Sequence, residues 1–207
     1  MSSEALSKII DKPENLAQIA KLNSIILEQI NKAQILAGNV HLISKLEKGE
    51  ESKRPIKVHD IIEEGIDYIK KTFRNKDFSI NIQDFDKNLR ILANDLINGV
   101  IENILINAIK HTDKEKITID IKISSEILET IKYVKFQFKD NGPGIEDKVK
   151  AKLFRETFQK TSEGLGVGLT IVHKIIGSYD GKIWVEDRIE NDYSKGSNFI
   201  LLIPQVN

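Results

Sequence analysis

Ile117-Thr118-Ile119-Asp120-Ile121-Lys122-Ile123 alternates apolar and polar residues without a break. A period of two puts all four isoleucines on one face of an extended chain, which predicts a strand with one buried side. Val134, Phe136 and Phe138 repeat the pattern shortly afterwards, and Ser124-Ser125-Glu126 predicts the turn of an antiparallel hairpin between them. Upstream, Asp95 to His111 reads as a helix, preceded by short strands at Ile80–Ile82 and Leu89–Leu92. Asp60 followed by Glu63 resembles a capping box opening a helix that runs through Lys71. Downstream, Leu169 to Tyr179 predicts a helix, and Lys182–Glu186 and Asn198–Ile203 predict two more strands. Helices mixed with hairpins imply an α+β fold, with helices on one face of a largely antiparallel sheet.

The N-terminal quarter differs. From about Glu14 to Lys48 the chain predicts one long helix with no internal Pro, one Gly (Gly38), and Pro13 at its start, where a missing N–H costs least. Ile26, Ile30, Ala33, Ala37 and Val40 step by 4, 3, 4 and 3, and Ile19 and Leu22 extend that seam upstream. A heptad stripe this narrow needs another helix against it, from a second copy of the chain or from residues outside this sequence. Gly49 to Lys57, polar and containing Pro55, reads as a linker. The domains expected are therefore 1–50, a partial helical dimerisation region, and 51–207.

Bulk properties narrow the function classes. The 207 residues hold 31 Lys+Arg against 31 Asp+Glu, so no global field draws the chain to nucleic acid or an anionic membrane. No apolar run approaches the ~18–20 residues of a membrane span, and Met-Ser-Ser-Glu-Ala lacks the layout of a secretion signal. With no cysteine there is neither a disulfide framework nor a thiolate zinc site. A cytoplasmic protein with no nucleic-acid partner and no membrane contact within this chain is expected.

Three segments carry chemistry. On the Asp95–His111 helix, Asn103, Asn107 and Lys110 share one face, opposite Ile97, Ile101, Ile104 and Ala108. An amide oxygen can ligate Mg²⁺, which also keeps waters and phosphate oxygens, and Lys110 offers a point charge to phosphate. Asp140-Asn141-Gly142-Pro143-Gly144-Ile145 places a carboxylate at a strand end before a glycine turn. Asp140 can accept a hydrogen bond from an exocyclic amine such as adenine N6. Gly142 and Gly144 allow close backbone approach, and Ile145 offers an apolar wall. Gly164-Leu165-Gly166-Val167-Gly168-Leu169 runs into a helix whose free N–H groups and dipole favour an anion. Its spacing is neither a Rossmann nor a Walker fingerprint. In order, the three describe a pocket for a purine nucleotide, its metal and its phosphates.

Residues 102–112, 140–145 and 164–169 resemble the asparagine box and two glycine boxes of the histidine-kinase-like ATPases, and most closely those of two-component sensor histidine kinases. Leu153-Phe154 through Phe158 is similar to the phenylalanine box, Gly181–Glu186 with Lys195–Ile200 to the closing hairpin, and residues 42–50 to the end of the second dimerisation helix. The resemblance implies a Bergerat fold, a two-layer α/β sandwich, preceded by a long dimerisation helix. It implies ATP and Mg²⁺ as ligands, with Asn107 on the metal, Asn103 and Lys110 facing the phosphates, His111 at the pocket and Asp140 reading adenine. Gly164, Gly166 and Gly168 would shape a lid. The activity implied is transfer of the γ-phosphoryl group of ATP to a histidine, with a homodimer formed through the N-terminal helix and a response regulator as partner.

Hydrolysing relatives carry Glu four residues before the metal-binding Asn. Here that position is Asn103, and Glu102 lies about 100° around the helix, which favours transfer to a protein side chain over hydrolysis. The acceptor motif, a His followed by an acidic residue, a basic residue and Pro, is absent from His41, His59, His111 and His173. An acceptor helix upstream of Met1 is expected. The alternatives are an ATP-binding module without catalysis and a hydrolase of the same superfamily. Phe154 and Phe158 are four apart where the family has three.

Overall fold

The computed structural model describes residues 13–48, 52–112, 114–154 and 167–206. The chain divides into two compact units, residues 1–40 and 41–207. In the first, helix α1 (Pro13–Lys48, continuing into the second unit) leaves large apolar side chains in solvent, among them Leu22, Ile26, Ile30 and Val40.

Among the described residues the second unit holds seven strands: β1 (Arg54–Lys57), β2 (Phe78–Ile82), β3 (Arg90–Ala93), β4 (Ile117–Leu128), β5 (Ile131–Asp140), β6 (Lys182–Ile189) and β7 (Asp192–Val206). Their order is β1-β3-β7-β5-β4-β2, with β6 also paired to β7. Every pairing is antiparallel except β2 with β4. Between the strands run α2 (Val58–Thr72), α3 (Leu96–Lys110), the single turn α4 (Asp147–Lys150) and α5 (Val167–Ser178). The sheet's apolar face, with Ile119, Ile121, Phe136, Phe138, Phe199 and Leu201, is buried together with Ile62 and Ile69 of α2, Ile97, Ile101 and Ile104 of α3, and Val172 and Ile176 of α5. Each such side chain contributes about 1.5–3 kcal/mol. The result is the expected two-layer sandwich.

Helix α3 is held at both ends. Asn94 accepts the N–H of Leu96 on its side chain (3.2 Å) and that of Ile97 on its carbonyl (3.1 Å), and the buried Tyr179 hydroxyl also donates to the Asn94 side chain. At the other end, Thr112 Oγ1 donates to the Ala108 carbonyl (3.2 Å) and Lys76 Nζ to the Ile109 carbonyl (3.1 Å). Helix α2 approaches closely because Gly65 lacks a side chain: a Cβ there would lie 2.7 Å from Ile101 Cγ2.

Three local expectations are corrected. The linker is not wholly irregular, since Arg54–Lys57 forms β1; this is an edge strand, where Pro55 is tolerated. Asp60 and Glu63 form no capping box. Helix α2 starts at Val58 without a side-chain cap, and the two carboxylates flank His59 instead (3.5 and 3.3 Å). The hairpin turn falls not at Ser124–Glu126 but at Glu129 and Thr130, with Glu129 at φ 59° and Leu128 opposite Ile131. Glu126 stays in the ladder and pairs with Lys135 at 3.0 Å.

Candidate functional site

Strand β5 ends on Asp140, a carboxylate only 5% exposed. An unpaired charge there would be costly, and this one is held by donors. Its Oδ1 accepts the N–H of Gly142 (2.8 Å) and, at 3.4 Å, that of Ser197, while Oδ2 accepts the Ser197 hydroxyl. An ionised carboxylate has about four acceptor positions, so capacity for one more donor remains.

The end of α3 meets this carboxylate. A Cβ on Gly142 would lie 2.8 Å from both Asp140 Oδ1 and Thr112 Oγ1 and 3.7 Å from the His111 carbonyl. The glycine therefore lets Thr112 and Asp140 share one space, and the first two of the three motifs converge there. Asn141 fixes the turn from the other side. Its Oδ1 accepts the Thr118 N–H (2.9 Å), and its Nδ2 donates to the Lys116 carbonyl (3.0 Å).

Two of these glycines face the chain itself. Gly144 (φ +73°) lies so close to β7 that a Cβ would sit 1.5 Å from the Tyr193 carbonyl oxygen, and a Cβ on Gly196 (φ +116°) would sit 2.0 Å from that of Asp140. The close approach expected at Gly144 is made to β7, whereas Ile145 is half-buried beside it.

The two asparagines of α3 differ. Asn103 is buried and donates its amide to the Gly99 carbonyl one turn back (2.8 Å), leaving its side-chain oxygen as the atom it can present. Asn107 is half-buried, and its amide makes no side-chain hydrogen bond among the described residues. Lys110 and His111 are exposed at the helix end. Among the described residues, no three His, Cys, Asp or Glu side chains group to cage a metal. One neutral amide oxygen suits a hard cation that keeps waters and phosphate oxygens, as Mg²⁺ does, so the donor set fits.

Glu102 belongs to another neighbourhood. It lies near Glu64 and Tyr68 of α2, and burial, reinforced by Glu64, pushes its carboxyl from 4.5 up to about 7.

Helix α5 packs against α3 and begins at Val167, with Gly168 and Leu169 in its first turn. Gly164, Leu165, Gly166 and Phe158 lie outside the described residues, as does the Val167 side chain. Phe154 stacks on His173 of α5, with ring centroids 6.0 Å apart. Sequence reasoning missed Ser197 and Thr112 as site residues. The only signal for Ser197 is its place after Gly196 in the closing hairpin.

Residues 93–207 match the family described as histidine kinase-, DNA gyrase B-, and HSP90-like ATPase. The adaptive-response sensory kinase SasA of Synechocystis sp. is 32% identical over 158 residues, 73% of this chain and 39% of that protein. The signal transduction histidine-protein kinase/phosphatase MprB of Mycolicibacterium paratuberculosis is 22% identical over 191 residues, 90% of this chain and 35% of that one. Among solved structures, the nucleotide-free catalytic domain of histidine kinase ThkA superposes with a TM-score of 0.59 at 31% identity, covering 74% of this chain and 96% of that one. The chain spans well under half the length of the curated relatives it matches.

Proposed function

The chain belongs to the histidine kinase-, DNA gyrase B-, and HSP90-like ATPases and carries the ATP-binding catalytic part of a sensor histidine kinase, and we propose that it delivers the γ-phosphoryl group of ATP to a histidine side chain. The supporting observation is the convergence of Asp140, buried on donors at the end of β5, with Thr112 at the end of the helix that carries Asn107. In this reading Asp140 accepts the adenine amino group through its remaining acceptor position. Ser197 and Gly142 hold the carboxylate in place for that contact. Asn107 supplies an oxygen to Mg²⁺, which when bound neutralises phosphate charge. Asn103 and Lys110 face the phosphates, and the N-terminus of α5, with Gly164 and Gly166 before it in sequence and Gly168 in its first turn, receives the tail.

Transfer breaks the bond between the γ-phosphorus and the ADP oxygen and forms one to an imidazole nitrogen, so positioning and charge neutralisation are the protein's main tasks. Glu102 turns toward α2, so no carboxylate of α3 stands ready to activate water. That favours a side-chain acceptor over hydrolysis. The exposed seam of α1, including Ile26, Ile30 and Val40, is read as a dimer interface with a second copy. A response regulator is the proposed downstream partner, and the proposed location is the cytoplasm. Among the described residues no helix is long and apolar enough to cross a membrane.

The test mixes the protein with γ-labelled ATP and a histidine-bearing helical hairpin of a sensor kinase. Acid-labile label on the hairpin is the expected result. Free phosphate without phosphoprotein would indicate a hydrolase, and neither product a non-catalytic module.

A further inference from the structure

The contact between α2 and α3 contains a buried polar atom that the nucleotide site does not explain. Asn98 Nδ2 donates across the two helices to Glu64 Oε2 at 2.8 Å, while Asn98 Oδ1 is buried without a hydrogen-bond partner among the described residues. A buried carbonyl oxygen lacking a donor carries its full desolvation cost. Along α3, Glu102 lies four residues beyond Asn98 and shares its face, and on α2 Glu64 and Tyr68 have the same spacing. Gly65, pressed against Ile101, brings these two faces together. An ionised carboxylate only accepts hydrogen bonds, whereas a protonated one also donates.

We propose that Glu102, when protonated, donates its hydroxyl to Asn98 Oδ1, so that Glu64, Asn98 and Glu102 form a proton-dependent clasp joining α2 to the helix of the two site asparagines. The surroundings favour the neutral form. Burial comes first and Glu64 second in raising the Glu102 carboxyl to about 7. Glu102 in turn adds to the effect of burial in raising the Tyr68 hydroxyl, which a hydrogen bond with Thr72 opposes. Among the described residues, the charged group acting on Glu102 is thus Glu64, and Glu102 acts in turn on Tyr68, both on α2. The end of α1, which sets Leu42 against Gly99 of α3, carries His41 and Lys45.

The clasp acts without nucleotide and is tested without it, by carbon-detected NMR titration of the whole chain between pH 4 and 9. The Glu102 carboxyl signal, assigned by its loss in Glu102→Gln, is expected to titrate near 7, and the Asn98 carboxamide signals are expected to move with the same midpoint. In Glu102→Gln, whose amide is a permanent donor, the Asn98 signals should lose the step near pH 7. A Glu102 midpoint near 4.5, or Asn98 signals that ignore the Glu102 titration, would overturn the proposal. Should the variant fail to fold, the coincidence of the two midpoints in the unaltered chain decides.

Discussion

Ser197 of β7 donates its hydroxyl to Asp140 of β5, a side-chain bond spanning 57 positions of sequence. The two residues lie one position beyond Lys139 and Asn198, the last pair of the β5–β7 ladder. The carboxylate assigned to the base is therefore positioned by the sheet and not by its own glycine turn alone.

Asp140→Asn should weaken ATP and ADP alike, by roughly 10- to 100-fold, because a hydrogen bond to a charged acceptor is worth about 1.5–3 kcal/mol. Ser197→Ala should cost a few-fold, since Gly142 still holds Oδ1. Isothermal calorimetry with both nucleotides checks this. An unchanged affinity in Asp140→Asn would reject the adenine contact.

The asparagines should separate by what each substitution damages. Asn103→Ala removes the bond to the Gly99 carbonyl and should lower stability by about 0.5–1.5 kcal/mol. Asn107→Ala should leave stability within about 0.5 kcal/mol and lower ATP affinity more with Mg²⁺ present than with chelator. Equal losses under both conditions would argue against a metal role.

Gly144→Ala places a methyl against the Tyr193 carbonyl at a positive φ. The conformation alone costs roughly 1–3 kcal/mol, with the collision in addition. Gly38→Ala meets nothing within 4 Å in its helix and should stabilise by up to about 1 kcal/mol. Urea midpoints followed by the single tryptophan, Trp184, test the Gly144 variant, and helical ellipticity tests the other.

Between pH 4.5 and about 7 the folded chain keeps the Glu102 proton that the unfolded chain has released. Folding then binds protons, so this group's contribution to stability declines as pH rises through that window and levels off above it. The urea midpoint of Glu102→Gln should be less sensitive to pH between 5 and 8 than that of the unaltered chain. Identical pH profiles would show that Glu102 titrates at its ordinary value.

Local patterning made much of the fold legible. The alternation at Ile117–Ile123 gave β4, and the periodicity around Asn103 gave α3, but not that Asn103 itself, together with Leu105, Ile106 and Ile109, is buried. What patterning could not reach was non-local or atypical. Strand β1 is four residues long and contains Pro55, which only its edge position permits. The hairpin turns on Glu129 in a left-handed conformation without Gly or Asn to announce it. Ser197 bonds to Asp140 only once β5 and β7 have paired. The difference between Asn103 and Asn107, identical in type and one turn apart, comes from the Gly99 carbonyl and has no sequence signature.

Calorimetric titration of the folded chain with ATP in the presence of Mg²⁺ measures the central claim directly. Saturable binding with one nucleotide per chain, weakened in Asp140→Asn, is the predicted result. A properly folded protein that takes up no adenine nucleotide would contradict it.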